Sequence, residues 1–220
     1  MLKRCLLLAG LLFLIVSGAF PKRKPAAAGK ADAGVPFDYY LLTLSWAPDF
    51  CAAPGGNKDP RECGAGKNIG FVVHGMWPQN EQPQQPKCPP GSPVSQDVIT
   101  PTLRYIPTES LIQHEWTNHG ACTGLSSADY FAKLRQARDS VKIPSELTSL
   151  KAQTSESAAQ IEAQFAAANP GFPPAAFRAT CTNGALQEAR ICLDKNLSPR
   201  ACTASAGRCS APSMKVLPPR

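Results

Sequence analysis

The sequence predicts an α+β fold stapled by disulfides. Three observations predict it. Strand-like apolar runs and helix-period runs are mixed without strict βαβ alternation. An Asn183-Gly184 pair separates two strand-like runs, the signal of an antiparallel hairpin. Eight cysteines, an even set, follow an export-type N-terminus.

Taken in order, Lys3 and Arg4 give a positive start, and Leu6 to Val16 is almost wholly apolar. Ser17-Gly18-Ala19 supplies small residues for cleavage, so residues 1–19 read as a signal peptide cut after Ala19. The run is short of the roughly 20 residues that span a bilayer, and no later stretch approaches that length. No membrane attachment is expected after cleavage, a retained anchor being the lesser alternative. Residues 20–36, rich in Pro, Ala, Gly and Lys without apolar periodicity, read as a flexible lead-in. Residues 37–220 read as a single domain, ordered from Phe37.

Within that domain, residues 39–46 (YYLLTLSW) form a strand ended by Pro48. Residues 53–67 are loop, and a second strand runs from Ile69 to His74, closed by Gly75 and Pro78. Residues 79–101 hold six prolines and read as a long loop of the kind that surrounds binding sites. From Ser127 the spacing places Tyr130, Phe131, Leu134, Ala137 and Val141 on one helical face, with Ser126 or Ser127 as N-cap. A second helix runs from about Ser155 to Ala168 and ends at Asn169-Pro170-Gly171. Strands at 177–181 and 185–193 flank the Asn-Gly turn, and residues 196–220 read as loop pinned by bridges.

Cys5 leaves with the signal, so Cys51, Cys63, Cys88, Cys122, Cys181, Cys192, Cys202 and Cys209 remain. Without clustered C-x-x-C pairs they read as disulfides rather than zinc ligands, with roughly a hundred connectivities open. Removing Lys3 and Arg4 from 23 basic residues leaves 21 against 16 acidic ones, a charge of +5. A moderate positive balance suits a polyanionic partner but decides nothing alone.

All three histidines fall in two short segments, Phe71-Val-Val-His74-Gly-Met-Trp77-Pro78 and His114-Glu115-Trp116-Thr117-Asn118-His119-Gly120-Ala-Cys122. Histidine is the side chain that exchanges a proton near neutrality. The second segment invites comparison with the zinc-protease H-E-x-x-H. That motif needs histidines at i and i+4; here they stand at i and i+5, diverging by roughly 140° on a helix. Acid/base catalysis by His74, His114, Glu115 and His119 fits better. Taken singly, His74 would be a hydrogen-bonded structural histidine, Trp77 and Trp116 core, and Glu115 a solvated charge. Taken together, with no other histidine in the chain, they point to a site.

These two segments resemble the active-site segments of the ribonuclease T(2) family, the acid, base-nonspecific endoribonucleases. Leu42-Thr-Leu-Ser-Trp46-Ala-Pro48-Asp-Phe-Cys51 resembles the family's first strand, and the helix ending at Asn169-Pro170-Gly171 and Arg190-Ile-Cys192-Leu-Asp194 also match. The resemblance covers about residues 37 to 209. It implies an α+β fold with a central antiparallel β-sheet and helices packed against it, and the pairings Cys88–Cys122, Cys192–Cys202 nested within Cys181–Cys209, and Cys51–Cys63.

The resemblance further implies cleavage of single-stranded RNA by its own 2′-OH, without metal or cofactor, by an exported (secreted or periplasmic) monomer. His119 would be general base, His74 general acid, His114 a phosphate contact, and Glu115 a stabiliser of charge on the phosphoryl oxygens or a tuner of a neighbouring imidazole. The chain departs from the family in carrying Asn118 where lysine is common, Gln79 where some members have an acidic base-recognition residue, and Leu111 where an aromatic occurs. With Trp77 as a stacking surface, these are the candidate substrate contacts, and base preference does not carry over. Two other readings compete: an RNA-binding or toxin-like relative weakened at Asn118, and a zinc hydrolase.

Overall fold

The structure is a computed structural model that describes residues 34–55, 59–82 and 87–220. The expected signal peptide and most of the lead-in lie outside the described residues. The chain contacts the body slightly earlier than composition suggests, since the Val35 amide donates to the Cys122 carbonyl at 2.8 Å.

Six strands form one mostly antiparallel sheet: β1 (Tyr39–Trp46), β2 (Phe71–Gln79), β3 (Thr154–Glu156), β4 (Phe177–Thr182), β5 (Ala185–Leu193) and β6 (Met214–Val216). Strand β1 is central, with β2 on one side and β5 on the other; β4 pairs with the far edge of β5. Strands β3 and β6 pair with each other, and β6 meets β5 through a single parallel bridge, Ala185 to Lys215. The Asn-Gly turn joins β4 to β5 with Asn183 at φ 50° and Gly184 at φ 74°, the two positive φ values that a type I′ hairpin requires.

Seven helices are described: α1 (Ala47–Ala52), α2 (Pro60–Cys63), α3 (Gln96–Thr102), α4 (Glu109–Asn118), α5 (Ser127–Asp139), α6 (Ser145–Thr148) and α7 (Ala158–Ala168). The period-2 alternation of β1 divides the molecule. Tyr40, Leu42, Leu44 and Trp46 enter the main core with Tyr130, Phe131 and Leu134 of α5 and Ile161 and Phe165 of α7. Each such side chain, fully buried, contributes roughly 1.5–3 kcal/mol. The Tyr130 hydroxyl, buried here, donates to the Met76 carbonyl at 2.7 Å and so ties α5 to β2. On the opposite face of β1, Tyr39 and Leu41 join a small cluster with Cys192 and Ala206, and Thr43 and Ser45 lie between β2 and β5.

Several element boundaries differ from expectation for identifiable reasons. Strand β2 runs past His74 to Gln79 although it contains Pro78; it is an edge strand, where a missing N–H leaves no ladder bond unmade. The proline-rich segment contains α3, which tolerates Pro101 inside its short length. Helix α7 starts at Ala158, not Ser155, because Ser157 and Gln160 form a capping box, and residues 154–156 are strand. The 53–67 segment carries α2 and the cysteine-rich tail carries β6. Four disulfides join Cys51–Cys63, Cys88–Cys122, Cys181–Cys209 and Cys192–Cys202, the pairs that the resemblance implies.

Candidate active site

His74 is placed by an irregularity. Leu44 pairs with Val73 and Thr43 with Gly75, so His74 is the extra residue of a β-bulge in β2. Bulges re-aim a side chain out of strict alternation. The imidazole consequently reaches across β1, and its Nδ1 meets Glu188 Oε1 of β5 at 2.8 Å. Glu188 is 2% exposed and is itself held by Arg190, whose Nη2 lies 2.7 Å from Oε2. The other ring nitrogen, Nε2, points toward Glu115 Oε1 at 3.7 Å, which is charge contact rather than a hydrogen bond.

Helix α4 carries the second segment. Thr108 caps it by accepting from the Leu111 amide, Ile112 and Trp116 turn into the core, and His119 ends it at φ −135°, ψ −54°. Gly120 allows the chain to turn there, since a Cβ would come within 2.5 Å of the Trp116 ring and 2.8 Å of Tyr130. The turn is pinned by Cys88–Cys122, which ties the proline-rich segment to it. Glu115 is fully buried and its Oε2 accepts from the Trp77 indole N–H at 2.7 Å. Gly75 makes this possible, because any side chain there would collide with the Glu115 carboxylate.

Trp77 is the common neighbour. The ring centroids of His74 and His119 each lie 5.2 Å from its own, and Arg190 approaches it at 5.5 Å. Imidazoles 45 residues apart in sequence thus sit against one indole. Their electrostatics diverge. Burial and the nearby charges of His114 and His74 push His119 down to about 4. Burial also disfavours protonated His74, but the hydrogen bond to Glu188 and the charges of Glu115 and Glu188 outweigh it, and its pKa is raised. Burial pushes Glu115 up to about 7 against the opposing pull of His74 and the Trp77 N–H. Glu188, despite its own burial, is lowered by its bond to His74 and by Arg190.

Of the residues singled out in the sequence, His74, Glu115, His119 and Trp77 converge. His114 and Asn118 are exposed one helical turn apart on α4, the Asn118 amide 3.1 Å from the His114 ring. Leu111 lines a cavity beyond His74. Gln79 is buried at the C-terminal end of β2 opposite Tyr39. Sequence reasoning missed Glu188, whose partner is 114 residues away; two charged residues alternating along an otherwise apolar strand were its one trace.

This disulfide-stapled α+β protein thus sets two imidazoles of opposite proton affinity against one indole, with two buried carboxylates in contact with His74. The chain belongs to the Ribonuclease T2 family, whose model matches residues 37–202. A probable ribonuclease of Haemophilus influenzae is 35% identical over 128 residues, 52% of this chain and 47% of that protein. A ribonuclease of Aeromonas hydrophila is 32% identical over 146 residues, 63% of this chain and 60% of its own. The chain thus spans about half the length of the curated relatives it matches. Among solved structures, an RNase-related protein from Calystegia sepium shares the fold at TM-score 0.66 and 19% identity, covering 84% of this chain and 98% of that one. A mutant of RNase MC1 solved with 5′-UMP does so at TM-score 0.64 and 23% identity, covering 82% and 98%.

Proposed function

We propose that the chain is an exported endoribonuclease that cleaves single-stranded RNA by metal-independent transphosphorylation. The observation that carries this reading is the pair of imidazoles against Trp77, one shifted toward the neutral form and the other toward the charged form. Neutral His119 accepts the proton of a ribose 2′-OH, and the freed oxygen attacks the adjacent phosphorus. The bond to the 5′-oxygen breaks as His74 delivers its Nε2 proton to that oxygen. The products are a 2′,3′-cyclic phosphate and a free 5′-OH; water later opens the ring to a 3′-phosphate. Glu115, protonated below about pH 7, offers a hydrogen bond to a phosphoryl oxygen, and His114 contacts the phosphate. Trp77, Asn118, Gln79 and Leu111 remain the proposed substrate contacts. The four bridges support a secreted or periplasmic location.

The test is mass spectrometry of the ends left on an RNA oligonucleotide digested in EDTA. Cyclic-phosphate ends formed at undiminished rate are expected. Loss of cleavage with chelator, restored by zinc, overturns the metal-free route.

The pH dependence follows from the two shifts. Activity needs His119 unprotonated and His74 protonated, so kcat/KM rises through about pH 4 and holds a plateau. It falls above the ordinary histidine value of 6.5, as His74 loses its proton at its raised pKa and Glu115 loses its own at about 7. A profile that is already falling between pH 5 and 6 would contradict a raised pKa for the acid His74. A second reading, an RNA-binding or toxin-like relative with weakened catalysis, draws on Asn118: its amide supplies a donor but no charge beside His114. Binding of RNA without cyclic-phosphate ends would favour it.

A further inference from the structure

Beyond His74 opens a cavity of about 490 Å³, within the range that small-molecule sites occupy. His74 and Glu188 form part of its wall, whereas His119 and Trp77 do not. On the cleavage chemistry proposed above, on which this inference rests, the cavity therefore lies where the proton is delivered. That is the side of the departing nucleoside.

Three carboxylates line it: Asp49, Glu62 and Glu188. Asp49 has Lys215 at 3.4 Å and accepts from the Leu217 amide, and Glu188 has Arg190 and His74. Glu62 is 8% exposed, and no described residue hydrogen-bonds or ion-pairs with its carboxyl. A largely buried carboxylate without a hydrogen-bond partner is costly, and burial pushes this one up to about 6 against the pull of His74. A ligand that satisfies it must bring donors. A phosphate would be repelled. A flat ring suits the neighbouring apolar wall of Phe50, Leu111 and Leu186, where Phe50 is 44% exposed with nothing described covering it fully.

Among RNA bases, guanine alone presents two adjacent donors, N1–H and N2–H, on one edge, spaced for the two oxygens of one carboxylate. Uracil and cytosine offer one donor group beside acceptors, and adenine one donor beside N1. We propose that Glu62 is a specificity-determining residue that reads guanine as the base of the nucleoside on the 3′ side of the scissile bond.

The experiment compares kcat/KM for CpG and CpA at one pH, where the protonation of the histidines cancels from the ratio. Wild type is expected to favour CpG by about tenfold or more, the discrimination of a good bidentate contact. Glu62→Gln is expected to reverse the preference, because an amide presents one donor and one acceptor, the complement of adenine's edge. A merely structural role for Glu62 would lower both rates together and leave the ratio unmoved. CpG cut no faster than CpA by wild type overturns the proposal, even if the variant fails to fold; so does an unchanged ratio in a folded variant. Calorimetry with 5′-GMP and 5′-AMP separates this inference from the cleavage reading. Tighter 5′-GMP binding that is lost in the variant sustains the site even without any cleavage, and absence of both cleavage and selective binding overturns it.

Discussion

Replacing His119 by alanine is expected to lower kcat for RNA cleavage by at least about a hundredfold, and replacing His74 by a similar or larger factor, since a positioned acid or base contributes roughly 10²–10⁴. The two losses differ in their pH signature. Without His119 the rise through about pH 4 is expected to disappear; without His74 the alkaline fall is expected to keep only the part due to Glu115. Neither change should unfold the protein. His119 sits at a helix end with one ring contact to Trp77, and Glu188 keeps Arg190 when His74 is removed. Thermal melts within a few degrees of wild type check this, and turnover at the parental rate by either folded variant would sink the assignment.

Gly75→Ala is expected to be as damaging, although the residue carries no chemistry. An added Cβ would meet the Glu115 carboxylate and lie 2.6 Å from Trp77 Nε1, the two groups that bond each other at 2.7 Å. Glu115 is fully buried and has nowhere to retreat without displacing α4 from β2. Overpacking of this kind costs about 1–3 kcal/mol, and breaking the Trp77–Glu115 bond disturbs the indole against which both imidazoles rest. Chemical denaturation combined with turnover measures both effects. Parental stability together with parental kcat in this variant would refute the geometry.

Much of this was legible in residue order. Local signals carried β1, α5 and the hairpin at Asn183-Gly184, because alternation, helical spacing and turn chemistry act over a few residues. His74, Glu115 and His119 were found because histidine is scarce in the chain. What escaped depends on distance or on context. Pro78 looks like a strand terminator until β2 is known to lie at the edge of the sheet. The bulge at His74 is defined by the register of a partner strand, so no pattern within residues 71–79 reveals it. Glu188 and Glu62 acquire their meaning only from the burial and neighbours that the folded sheet supplies.

The hydrogen bond from His74 to Glu188 crosses from one side of β1 to the other. The proposed proton donor is therefore anchored to three adjacent strands at once. Fraying at the ends of the molecule leaves it untouched, and it vanishes only when the ladder itself comes apart. Proton delivery by His74, as proposed, would in this sense be an attribute of the whole sheet, gained and lost as the strands assemble and separate.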